Sequence, residues 1–160
     1  MAKPIIHAGN IECAVASLLN FRVYTIVPNV SHGLYLNHEC DMLALDSKGR
    51  FTEIEIKISV SDLKADFKKK HSHSSKIISR LVYAMPDFLC EKYNALIPKQ
   101  FGIISVKCSD GRFIAKWFRP CKHDNLKQKP SDSVIKNFMR LGCMRIWSLK
   151  KHNYSKSYIQ

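Results

Sequence analysis

The spacing of apolar residues changes along this chain from a helical period to a strand period. Behind Asn10, the residues Ile11, Val15, Leu18 and Leu19 recur on one face, which predicts a helix capped by Asn10 and running to Leu19. Phe21 to Val27 is rich in β-branched and aromatic residues and predicts a strand, followed by a loop from Pro28 to Asn37 that contains His32 and Gly33. From Cys40 the pattern shortens. Cys40-Asp41-Met42-Leu43-Ala44-Leu45 is apolar except at Asp41, Asp46-Ser47-Lys48-Gly49 is a polar turn, and Phe51 to Ile58 alternates. Together they predict a β-hairpin. Side chains two apart on a strand share a face, so Glu53, Glu55 and Lys57 point one way and Ile54, Ile56 and Ile58 the other.

Ser59-Val60-Ser61-Asp62 then starts a helix that continues through Lys64 and Lys68 to Lys70, with acids early and lysines late as the helix dipole favours. His71 and His73 fall in a polar break. Ile77 to Met85 is a strand stopped by Pro86, and Asp87 to Tyr93 a short helix. Phe101–Val106 and Arg112–Phe118 flank Asp110-Gly111, a second hairpin signal. After a basic loop, Ser131 caps a last helix with the stripe Ile135, Phe138, Met139, Gly142 and Ile146. The expected organisation is an α/β domain over residues 1–149, a mixed β-sheet flanked by helices, followed by a frayed basic tail over 150–160.

The first hairpin carries the chemistry. A strand that begins at Asp41 can lay its carboxylate beside Glu55, with the Lys57 ammonium on the same face. Two carboxylates and an ammonium at one point suit a divalent-cation site with a basic group beside an attacking water. A lone Glu-x-Lys on a strand is more often a solvated pair. The strict alternation of this strand, and an acid in an otherwise apolar partner strand, argue for a site. Glu39 and Glu53 share those faces by parity and are weaker candidates. Glu12 has a competing account as a first-turn acid that favours the helix dipole.

Composition sharpens this picture. Lys and Arg number 26 against 13 acids, a net charge of +13, which points to a polyanionic partner. Lys64 and Lys68, one helical turn apart and followed by Lys69 and Lys70, form a candidate phosphate-contacting face beside the hairpin. Residues 107–151 hold twelve Lys or Arg interleaved with Trp117, Phe118 and Trp147, whose spacing suits core packing better than base stacking. With 46% hydrophobic residues the chain is globular rather than disordered. No segment reads as a signal peptide or a membrane span, so a cytoplasmic location with no membrane partner is expected. Six scattered cysteines then read as reduced core thiols, and Cys121 and His123 with Cys108 are too sparse for a zinc site.

A helix bearing Glu12, a strand, Asp41 opening a hairpin and Glu55-Ile56-Lys57 on its return strand resemble the PD-(D/E)XK nuclease superfamily. The continuation Glu55-Ile56-Lys57-Ile58-Ser59 through Asp62, Asp66 and Lys68 is similar to the MmcB-like DNA repair group, as are Tyr83-Ala84-Met85-Pro86 and Ile97-Pro98 through Gly102-Ile103-Ile104. Ile58 stands where that group often has Ser, and Lys69 where it often has an aromatic. The resemblance implies a restriction-endonuclease-like core and hydrolysis of DNA phosphodiesters. It implies Mg²⁺ or Mn²⁺ on Asp41, Glu55 and the Ile56 carbonyl, with Lys57 orienting or helping to deprotonate water. Glu12 would hold a water of the metal or a second metal, and Ser59 would join the lysines on the DNA-facing side. DNA is the expected partner, a second copy of the chain a further candidate. A non-catalytic nucleic-acid-binding module with the same fold is the alternative.

Overall fold

The computed structural model describes residues 5–31, 34, 36, 38–68, 75–122 and 129–156. Helix α1 (Ala8–Leu19) leads into strands β1 (Thr25–Val30), β2 (Cys40–Leu45) and β3 (Phe51–Ile56), then helix α2 (Val60–Asp66) and strand β4 (Ile78–Pro86). Helix α3 (Asp87–Tyr93) and one 3₁₀ turn precede β5 (Gly102–Ser109) and β6 (Arg112–Arg119), and α4 (Asp132–Lys156) closes the order. The six strands form one sheet in sequence order. β1–β2, β2–β3 and β5–β6 pair antiparallel, whereas β3–β4 and β4–β5 pair parallel. A parallel neighbour requires a crossover, and α2 and α3 supply the two that are needed. The result is the expected mixed α/β sheet flanked by helices.

Both predicted hairpins form through local chemistry. Asp46 Oδ1 accepts the backbone N–H groups of Lys48 and Arg50, each at 2.9 Å, and Gly49 takes the left-handed φ of 74° that closes the turn. Asp110 and Gly111 both adopt positive φ, 51° and 73°, the conformation that a two-residue hairpin requires.

One sheet face is covered by α1, whose Ile11, Ala14 and Val15 pack on Met42, Ala44, Ile54, Val82, Ala84, Ile104 and Val106. The other face is divided. Val134 and Phe138 of α4 cover Val27, Leu43, Leu45 and Phe51, while Leu63 of α2 and Leu89 of α3 cover Leu81, Tyr83 and Ile103. β3 runs beneath the seam between these two clusters, and its polar residues face that seam.

Several local expectations are corrected. The cap of α1 is His7; Asn10 lies in the first turn and its Oδ1 accepts the His7 N–H at 3.0 Å. Glu12 therefore sits beyond the first turn, where the dipole explanation weakens. Phe21 and Val23 are exposed in a turn, and the first strand begins at Thr25 and includes Pro28. Helix α2 stops at Asp66 rather than Lys70, with Lys69, Lys70, His71, His73, His32, Gly33 and His123 outside the described residues. The last helix runs through Lys156, into the segment expected as a frayed tail, and buries Val134 and Phe138 while Met139 and Ile146 face outward. Gly142 lets α4 approach β1 closely: a Cβ there would stand 3.1 Å from Val27 Cγ2, a tight contact that Val27 would have to relieve. Trp117, Phe118 and Trp147 are exposed rather than core residues. Of the six free cysteines only Cys40 and Cys90 are buried, so the reading of core thiols holds for two of them.

Candidate metal and nuclease site

The hairpin register places Met42 opposite Ile54 and Leu43 opposite Glu53, with Asp41 next along β2. The Asp41 carboxylate crosses to the neighbouring strand, where its Oδ2 accepts the Ile56 N–H at 2.7 Å. The parallel pairing of β3 with β4 sets Glu55 beside Tyr83. These contacts gather the start of β2, the end of β3 and the middle of β4 at one end of the sheet.

The polar face of β3 is buried rather than solvated. Glu53, Glu55, Lys57 and Asp66 expose only 0, 2, 3 and 3% of their surfaces. Lys57 Nζ donates to Glu55 Oε2 at 2.7 Å and lies 3.1 Å from Asp66 Oδ1. The Tyr83 hydroxyl donates to the other Asp66 oxygen at 2.9 Å. Glu53 Oε1 lies 2.7 Å from His38 Nε2. Asp66 reaches this cluster because it ends α2, a helix started by Ser59, whose Oγ accepts the Asp62 N–H at 3.2 Å.

The electrostatics follow from this burial. Among the described residues, buried Glu55 and Asp66 flank buried Lys57, and buried Glu53 pairs with His38. Burial, opposed by Lys57 and reinforced by Asp41 and Glu53, raises the Glu55 carboxyl to about 7. Burial also acts to lower Lys57, but the charges and hydrogen bonds of Glu55 and Asp66 outweigh it and the net shift is upward. Lys57 is therefore an ammonium at neutral pH. It can stabilise charge and orient a neighbour, but in this state it cannot accept a proton. Glu12 is raised by partial burial and then by the Asp41 charge, which ties α1 electrostatically to the hairpin. Glu55 Oε1 is buried with no hydrogen-bond partner among the described residues. A buried carboxylate oxygen in that condition is costly unless a cation takes it.

The structure thus joins Asp41, Glu55, Ile56 and Lys57, with Glu12 within electrostatic reach. Glu39 is exposed and outside the cluster, whereas Glu53 is inside it. Lys64 and Lys68 are exposed beside α2. The sequence reading missed three participants. Asp66 as the second partner of Lys57 had a signal in its motif position, and Tyr83 had one in its strand parity with Leu81 and Met85. His38 lies two residues before Cys40, and with Glu53 these form a group whose ligand atoms all lie within 4.8 Å of one another, so the group can bind a metal ion.

Residues 6–153 match the model of the MmcB-like DNA repair protein family. The chain belongs to the MmcB-like family. Membership points to a role in DNA repair and, with it, to DNA as a partner. A solved structure of a protein of unknown function from Silicibacter pomeroyi shares this fold, with a TM-score of 0.65 at 18% identity, covering 94% of this chain and 92% of that one. No curated protein matches the sequence. Among the described residues of this MmcB-like protein no helix is long and apolar enough to cross a membrane.

Proposed function

We infer that this MmcB-like protein is a divalent-metal-dependent deoxyribonuclease of the PD-(D/E)XK type that acts in DNA repair. The observation that carries this reading is the buried Glu55 Oε1, without a hydrogen-bond partner among the described residues, one residue from a strand-end carbonyl and within electrostatic reach of Asp41. The order helix, three antiparallel strands, crossover helix and parallel strand supports it, because it delivers Asp41 and Glu55 to one end of the sheet.

Asp41, Glu55 and the Ile56 carbonyl would hold Mg²⁺ or Mn²⁺, since carboxylate and carbonyl oxygens are the donors a hard cation takes. The cation supplies charge stabilisation at the phosphate and a more acidic water. Lys57, held by Glu55 and Asp66, would offset developing negative charge. Glu12, within electrostatic reach of Asp41, would accept from a water on the α1 side. Lys64 and Lys68 of the exposed basic side, together with Lys69, Lys70 and Ser59 of the same segment, would track the DNA backbone.

One observation favours a second reading. Trp117, Phe118 and Trp147 are exposed among basic residues, an arrangement that suits base stacking in a non-catalytic binding module. Cutting assays on single-stranded, duplex, branched and damaged DNA with Mg²⁺ or Mn²⁺ separate the two. Cleavage that falls about a hundredfold or more in Asp41→Ala, Glu55→Ala and Lys57→Ala supports the nuclease. Tight, metal-indifferent binding with no cutting of any form supports the binding module and ends the catalytic reading.

A further inference from the structure

We propose that His38 Nε2, Cys40 Sγ and a Glu53 carboxylate oxygen form a second metal site, separate from Asp41 and Glu55, that takes a Zn²⁺-class cation. The three side chains come from the chain entering β2, the first residue of β2 and the middle of β3. Their ligand atoms already converge: Cys40 Sγ lies 3.7 Å from His38 Nε2, and His38 Nε2 lies 2.7 Å from Glu53 Oε1. Zinc bonds to nitrogen, sulfur and oxygen put tetrahedral neighbours roughly 3.3–3.5 Å apart. The sulfur–nitrogen edge is thus nearly in place, and the nitrogen–oxygen edge needs to open by about half an ångström.

Two further observations point to a cation. Cys40 and Glu53 are fully buried, and strand backbone fixes both. Among the described residues, Glu53, Glu55 and Asp66 place three buried carboxylates in this interior, surroundings that favour a divalent ion. The donor set selects the ion. Thiolate and imidazole favour zinc-like cations over Mg²⁺, so the two sites on β3 would sort metals by softness. Cys40 binds as the thiolate and its proton passes to solvent. Three protein ligands leave a fourth position for water. A cation there would clamp the entry of β2 onto β3, the two strands that carry Asp41 and Glu55.

Titrating the reduced full-length protein with Co²⁺ tests this directly. The expected result is a thiolate-to-cobalt charge-transfer absorption that saturates at one equivalent and is displaced by Zn²⁺. It is lost in Cys40→Ser and His38→Gln and kept in Asp41→Asn. His38→Gln serves if Cys40→Ser fails to fold by circular dichroism, because the histidine lies outside the strands. Zn²⁺ should also raise the melting temperature of the wild type and of Asp41→Asn, but not of His38→Gln. No band in the wild type, or the same band in both ligand variants, overturns the proposal. The outcome is independent of the nuclease reading: Asp41→Asn should abolish cutting while leaving the cobalt spectrum intact.

Discussion

Lys57 at the end of β3 and Asp66 at the end of α2 meet 3.1 Å apart, nitrogen to oxygen, in the interior. The contact joins the motif lysine to the helix that follows it. It also holds the ammonium between two carboxylates, because Glu55 Oε2 lies 2.7 Å away on the other side.

Removing that ammonium takes the counter-charge from two buried acids. Lys57→Ala should destabilise the protein by about 3–5 kcal/mol near pH 8, as loss of one member of a buried ionic cluster does. The loss should shrink at pH 5.5, where Glu55, already raised to about 7, takes up a proton and sheds its charge. Adding Asp66→Asn to Lys57→Met should recover part of the stability. Urea unfolding at the two pH values measures this, and equal losses at both would contradict the assigned electrostatics.

Metal binding should titrate with Glu55. The folded carboxyl is raised above its usual 4.5 to about 7, so protons and Mn²⁺ compete for it across neutral pH. Affinity should therefore rise with pH by about tenfold per unit below 7 and level off above it. The same shift makes an opposite contribution to folding in the metal-free protein. Between 4.5 and 7 the native state holds a proton that the unfolded state has lost, so this stabilisation falls as pH rises through that window. Calorimetric Mn²⁺ titrations from pH 5.5 to 8 read the binding slope, and Glu55→Gln should abolish it.

Tyr83 serves Asp66. Its hydroxyl donates to Asp66 Oδ2 at 2.9 Å, and burial followed by the Asp66 charge raises its ionisation far above the usual phenol range, so it stays a donor at every working pH. Tyr83→Phe should cost about 1–3 kcal/mol by leaving that oxygen short of a donor. Cleavage should fall through kcat with KM little changed, because Lys57 loses a firmly held partner. A change in KM alone would place Tyr83 on the DNA instead.

Lys64 of α2 and Lys68 just beyond it are exposed, on the segment that also carries Asp66. If each neutralises a phosphate, Lys64→Ala and Lys68→Ala should each reduce the slope of log Kd against log[salt] by about 1, uniformly across DNA sequences. An unchanged slope in the double variant would remove this face from the DNA path.

Much of the fold follows from local sequence. Strict alternation in Phe51–Ile56, the Asp46–Gly49 turn and the Asp110-Gly111 turn determined two hairpins, because register and turn geometry depend on adjacent residues. That Asp41 and Glu55 lie on neighbouring strands was legible for the same reason. Boundaries were less so, since the cap of α1 depends on whether His7 or Asn10 leaves the helix, and both can satisfy its first turn. The outward turn of Trp147 was not legible either, because a helix with apolar residues on more than one side does not reveal which side meets the sheet.

Tertiary structure alone decided the character of the site. The sequence determined which residues β3 presents on its polar face, because side-chain alternation is a backbone property. It could not determine that this face is buried, because burial comes from α2 and α4 closing over the sheet on either side of β3. Asp66 and His38 approach from separate segments for the same reason. Desolvation by those distant segments is what turns an ordinary Glu-x-Lys pair into a proton-holding Glu55, a captive Lys57 and a place for a cation.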